Sequence, residues 1–285
     1  MAIKLVAILL VLLVCRFLPD LVRLRDFSWW RAWLDKLGST SAPAALALGV
    51  GVPVLACALL QVALHSILFG LTALVFAVAV LYYCWGPRDL ERDVEAVVKA
   101  PDSTQRLATA QALRCDGQTE ELPFVTEALV VATFAAALKR WFGVLFWFVL
   151  LGPCGALLYR LTQLFGGMPG QTESPLAQRA AAILDWAPAH LMALALALAS
   201  NFDAVFTTWR DYHRAHPQGY ASLDLGFLDI IARASVDADV AAGDEHANDA
   251  HSPLVALDDA MVLVRRVLVV WLTLIALIVL GGWFG

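Results

Sequence analysis

Long apolar runs separated by charged stretches give this chain its pattern. The runs fall at about residues 3–15, 44–68, 71–85, 141–158, 183–200 and 267–283, and crossing a bilayer takes roughly 20 residues of helix. The first, third and fifth are short for that task. Between them, apolar residues recur at helical spacing on otherwise polar stretches, at about residues 24–37, 89–100, 103–115, 121–139 and 201–210. The pattern predicts an all-α fold: a polytopic helical membrane protein with helical cytoplasmic loops, built as one membrane domain over residues 1–285.

The smaller features follow the same physics. Trp29, Trp30 and Trp33 stand among charges, the signature of a helix lying at headgroup level. The second and third runs meet at Phe69-Gly70 with no charge between them, so they read as a tight helical hairpin. His65 near that turn has no partner at helical spacing and reads as locally bonded, not as a metal ligand. Residues 166–174 (GGMPGQTES) form a turn-rich connector, either a cover for a neighbouring site or plain linker. Residues 235–252 are Ala/Asp-rich and read as a solvated linker, His246 and His251 included. Glu127, on the helix leading into Trp141, reads as a solvated helix carboxylate by default, with a place facing the membrane site as the alternative.

Composition fixes the compartment. The chain is 60% hydrophobic and 16% charged with a mean hydropathy of +0.72, outside the range of soluble domains. Lys4 before an apolar core resembles a signal sequence, but CRFLPD at residues 15–20 lacks small residues for cleavage, so the first helix is expected to be retained. If all six runs span, 17 of the 20 lysines and arginines fall on one side, which puts the loops at 87–140 and 211–258 in the cytoplasm and both termini outside it. The five cysteines show no CxxC spacing and behave as small buried hydrophobes. The net charge of −5, with no basic patch carrying interleaved aromatics, points away from nucleic acid. There is no GxxxxGK[ST] or GxGxxG, and no cofactor or metal is expected.

Candidate chemistry sits in two apolar runs that carry breaks and ionisable groups. Residues 145–160 read LFWFVLLGPCGALLYR, with Gly152, Pro153 and Gly155 as helix-break residues and Tyr159-Arg160 following. Residues 184–191 read LDWAPAHL, with Asp185, a second break at Pro188, and His190. Proline removes a backbone donor and a buried arginine is costly in hydrocarbon, so both are kept mainly where other protein groups or a cavity satisfy them. In a functional reading, Arg160 binds a carboxylate or phosphate, Tyr159 donates a hydrogen bond, and Asp185 acts as base or orients the basic partner. In a structural reading, Arg160 and Asp185 neutralise one another, and Gly152 with Ala156 is a small-xxx-small packing pair. His190 joins the ligand set, with Asn201, Asp203 and Arg210 at its cytoplasmic rim. Cys154 in apolar surroundings is an inert thiol.

The blocks LFWFVLLGPCGALLYRL and LDWAPAHL resemble AmpE, an inner-membrane modulator of β-lactamase induction, and more distantly the CobD/CbiB proteins of cobalamin biosynthesis. The CobD type carries a PLF-GGPPGALLYR block followed by a polar Asn-Thr-Leu-Asp continuation, and a later N-x-x-PAR-L block. Here Arg160 is followed by LTQLFGG, and His190 stands where the type has arginine. The AmpE resemblance implies a multi-pass regulatory protein of the bacterial inner membrane, in contact with membrane lipid, for which the Arg160 reading supplies a small anionic ligand. Its role is tied to peptidoglycan recycling, with a functional link to the amidase AmpD. The CobD resemblance implies the alternative, a membrane-embedded enzyme that joins an aminopropanol unit to a corrinoid carboxylate.

Overall fold

A computed structural model of the chain describes residues 2–37, 41–64, 70–86, 88–115, 120–168, 175–243 and 252–281. His65, His246 and His251, the turn at residue 69 and most of the 166–174 connector lie outside the described residues. Among the described residues there are helices and no strand. In chain order they are α1 (Ala2–Phe17), α2 (Ser28–Leu37), α3 (Pro43–Leu64), α4 (Leu71–Cys84), α5 (Leu90–Lys99), α6 (Ser103–Ala110), α7 (Thr126–Leu151), α8 (Pro153–Gly166), α9 (Pro175–Ala199), α10 (Phe202–Ala215), α11 (Gly226–Gly243) and α12 (Pro253–Leu280).

Helices α3, α7, α9 and α12 are long and apolar enough to cross a membrane. The bent pair Ile3–Phe17 and Leu21–Leu37, with 115° between its arms, makes a fifth crossing if counted as one span, and α4 is shorter. Leu55, Leu59 and Val62 on α3 and Val269 and Leu277 on α12 are more than half exposed, which suits lipid and not water. This is an all-α, multi-pass membrane protein.

The chain packs as two units. The first comprises Met1–Pro87, Gly143–Leu184 and Ile275–Gly285, the second Arg88–Phe142 and Asp185–Leu274. In the first, α8 lies against α3, α4 and the end of α7, and α1 packs on α4. Arg25 is buried there: Nη1 donates to Gly86 O at 2.9 Å, Nη2 to Cys15 Sγ at 3.0 Å, and its guanidinium sits 4.3 Å from the Tyr82 ring centre. In the second unit, α5 and α6 begin at aspartate caps, Asp89 accepting from Glu91 N and Asp102 from Gln105 N, the arrangement that satisfies orphan N–H groups of a first turn.

Two expectations about spans change. The run at 141–158 is not one helix: α7 starts at Thr126 and ends at Leu151. The apolar stretch misses the first turns because Lys139 and Arg140 interrupt it. Arg140 is held inside the protein by Asp93 Oδ2 at 2.7 Å and Ala112 O at 2.6 Å, so its charge does not end the helix. Glu127 lies at the surface and pairs with Arg233 at 3.0 Å.

Candidate functional site

The break after α7 is built by glycine. Gly152 has φ +80° and ψ −155°, a region that side chains other than hydrogen exclude. Pro153 then opens α8 at its first position, where its missing N–H costs nothing. A helix end at membrane depth leaves carbonyls without partners, and each must be satisfied within protein. Here the accounting closes with two polar side chains from distant helices. Lys4 Nζ on α1 donates to Val149 O at 2.8 Å and Leu150 O at 3.4 Å. Gln61 on α3 donates through Nε2 to Leu151 O at 3.3 Å and accepts through Oε1 from Cys154 N at 3.2 Å. Phe148 O keeps Gly152 N at 2.7 Å, and Gly152 O accepts from Gly155 N at 3.0 Å.

Gly155 is therefore not a break but belongs to α8, and its role is close approach. A Cβ there would strike the Trp147 carbonyl and the Leu151 side chain. Gly143 does the same on the preceding helix, since a Cβ on it would overlap the Tyr159 ring. These two glycines let α7 and α8 lie against each other and enclose Tyr159 fully. Next in the chain, Arg160 is 2% exposed. The residues after it continue the helix: Leu161 and Phe165 are buried, and Thr162 Oγ1 donates to Leu158 O at 2.9 Å.

Pro188 does not break its helix, contrary to the expectation from sequence. Helix α9 runs unbroken from Pro175 to Ala199. A mid-helix proline strands the carbonyl four residues earlier, and Trp147 Nε1 supplies the missing donor to Leu184 O at 3.0 Å. Asp185, one residue on, is 3% exposed.

In the second unit, the structure surrounds His190 with aromatic rings. Trp186 lies 4.6 Å from it between ring centres, Phe227 4.7 Å, His213 5.5 Å and Trp209 6.0 Å. Nδ1 of His190 sits 2.7 Å from Trp186 O. A carbonyl only accepts, so Nδ1 carries the proton and Nε2 presents its lone pair. That Nε2 and the Trp209 Nε1 are buried without a hydrogen-bond partner among the described residues. His213 repeats the geometry, with Nδ1 2.8 Å from Trp209 O and its ring stacked on Tyr220 at 4.2 Å. At the edge of this cluster, Tyr212 Oη donates to Asp224 Oδ2 at 2.5 Å. That hydrogen bond and one from Gly226 N hold the Asp224 carboxyl below the usual carboxylate range, while burial and the same aspartate push the Tyr212 phenol up to about 12.

The remaining candidates are scattered. Asn201 caps α10, its Oδ1 accepting from Ala204 N at 3.1 Å. Asp203 is exposed in the first turn, and Arg210 sits 3.5 Å from Asp211. Gln61, Lys4, His213 and Trp147 escape a reading of local pattern. A lone Gln or Lys inside an apolar run is the one signal that marks the first two. Among the described residues no group of three or more His, Cys, Asp or Glu is placed to hold a metal ion.

The model of the CobD/CbiB family, described as CobD/Cbib protein, matches residues 19–223. That stretch covers most of the chain and contains the Gly152 break, Arg160, Asp185, His190 and His213, and the chain belongs to this family. No curated protein and no solved structure matches it. The narrower AmpE resemblance rests on the two quoted sequence blocks alone.

Proposed function

We propose that the protein is a membrane-embedded enzyme of the CobD/CbiB kind, which joins an amine to the carboxylate of an anionic substrate as an amide, the carboxylate oxygen leaving with a phosphate drawn from a nucleoside triphosphate co-substrate. Family membership over residues 19–223 carries this reading. Arg160 supports it as well: it is 2% exposed within an apolar unit, and an ionisable residue at such a place is a functional candidate by default. In this reading Arg160 takes the substrate carboxylate, and Tyr159 beside it donates a hydrogen bond. The protein resides in the bacterial inner membrane, with residues 88–115 on the cytoplasmic side.

A host lacking its own CobD/CbiB-type enzyme tests the reading through growth that depends on a completed corrinoid. The unaltered chain restores growth, and Arg160→Ala, inserted to the same level, does not. Failure of the unaltered chain to restore growth removes the corrinoid reaction.

One observation favours a second reading, that of a ligand-sensing regulator of the AmpE type tied to β-lactamase induction. Where the CobD type continues with polar residues after its arginine, this chain places Leu161 and Phe165 in the core and spends Thr162 on its own helix. A site with fewer polar groups binds more readily than it catalyses. In that case Arg160→Ala changes inducible β-lactamase activity in a host where the chain restores no growth.

A further inference from the structure

A cavity of about 740 Å³ opens in the first unit between α2, α3 and α4, in the size range of ligand sites. Its walls are hydrocarbon. Val52, Ala56 and Leu60 line it along α3, and Phe76, Val80 and Tyr83 along α4. Eight residues of helix rise about 12 Å, so the space is a slot that runs beside two helices, which suits a chain better than a compact solute. The three polar groups of its aromatic wall are already used: Trp29 Nε1 donates to Tyr83 Oη at 2.6 Å, Tyr83 Oη donates to the carbonyl of Asp26, and Trp33 Nε1 donates to Leu48 O. Of the fourteen residues lining the cavity, only Lys36 carries a charge. It is exposed and lies two turns along α2 from Trp29, on the same face.

The roof is fixed, not incidental. Helix α2 is clipped to α3 through indole groups, Trp30 Nε1 donating to Gly49 O at 2.8 Å and Trp33 Nε1 to Leu48 O at 3.5 Å. Both carbonyls belong to a widened turn at Ala47–Gly51, where the helix makes i→i+5 bonds. Such turns recur at functional sites. A tryptophan-rich amphipathic helix held over a slot in spanning helices, with a lysine at its edge, has the chemistry of a chain below and an anion at the headgroup level.

We propose that this cavity is a binding site for one anionic membrane phospholipid, with an acyl chain against α3 and α4 and the phosphate at Lys36. The site is independent of the reaction proposed for Arg160, so either can fail alone. The full-length protein, reconstituted in nanodiscs of equal phosphatidylglycerol and phosphatidylcholine, is released into mild detergent and its retained lipids are counted by native mass spectrometry. The unaltered protein retains one phosphatidylglycerol in preference to phosphatidylcholine. Lys36→Gln lowers that preference about five-fold, the effect of one basic residue beside an anionic headgroup, and Lys36→Arg keeps it. Ala32→Trp, an exposed position on the cavity side of α2, fills the slot and removes the retained lipid of either kind. Equal retention of the two lipids, or retention unchanged in both Lys36→Gln and Ala32→Trp, overturns the proposal and reduces the bound lipid to the general annulus.

Discussion

Gly152→Ala isolates the break that opens α8. The backbone at φ +80° and ψ −155° strains any side chain, at about 1–3 kcal/mol. The new Cβ would also come within 3.0 Å of Gln61 Nε2 and 3.1 Å of its Oε1. Relieving that overlap moves the amide off both Leu151 O and Cys154 N. Each such bond inside a membrane is worth about 0.6 kcal/mol, which brings the expected loss to about 2–4 kcal/mol. Gln61→Ala alone forfeits the two bonds and should cost about 1 kcal/mol. In that background Gly152→Ala no longer meets the amide, so only the backbone strain remains and the two changes together cost less than their sum. Unfolding from mild detergent into dodecyl sulfate, followed by circular dichroism, measures all three. A Gly152→Ala protein within about 0.5 kcal/mol of the parent, or strictly additive costs, refutes the account of the break.

Three further outcomes follow from the same geometry. Trp147→Phe strands the Leu184 carbonyl and should destabilise by about 1 kcal/mol, whereas in a Pro188→Ala background, which restores the helix's own N–H, the same change should cost appreciably less by the same unfolding measurement. Arg140→Leu leaves the partly buried Asp93 without its cation and should cost about 2–4 kcal/mol, toward the lower part of the range for breaking a buried pair, while Arg140→Leu with Asp93→Leu recovers most of that loss. The Tyr212–Asp224 bond adds stability that is whole between the ordinary carboxylate and phenol ranges. The Asp224 share is lost as acid titrates its lowered carboxyl, and the Tyr212 share as pH climbs toward about 12. Ultraviolet titration of Asp224→Asn, referenced to Tyr212→Phe, should find the Tyr212 phenol lower than in the parent but still above its ordinary range, because burial, the larger cause, is unchanged.

Hydropathy made the spanning helices and the Gly152 break legible, because a Gly-Pro pair within an apolar run seldom sits anywhere but at a helix end. It failed where one helix supplies what another lacks. Pro188 reads as a break until Trp147, 41 residues earlier in the chain, donates to the carbonyl the proline leaves bare. The helical stretch at 121–139 and the apolar run from 141 read as separate elements until Asp93 and Ala112 take up the charge of Arg140 and the two join in α7. Arg160 and Asp185 announce themselves as ionisable residues in apolar runs and are both buried. The ring of aromatics around His190 has no such signal, since His213, Tyr220 and Phe227 come from α10, α11 and the turn between them and meet only in the fold.

The most direct test of the central claim is product formation. Membranes carrying the protein, mixed with soluble extract from a host without its own CobD/CbiB-type enzyme, are given a corrinoid carboxylic acid, an aminopropanol donor and a nucleoside triphosphate with magnesium, and the amide is sought by mass spectrometry. The account predicts the amide with the unaltered chain and its loss in Arg160→Ala at equal membrane yield. An unaltered chain that forms no amide, or an Arg160→Ala protein that forms it at the parent rate, contradicts it.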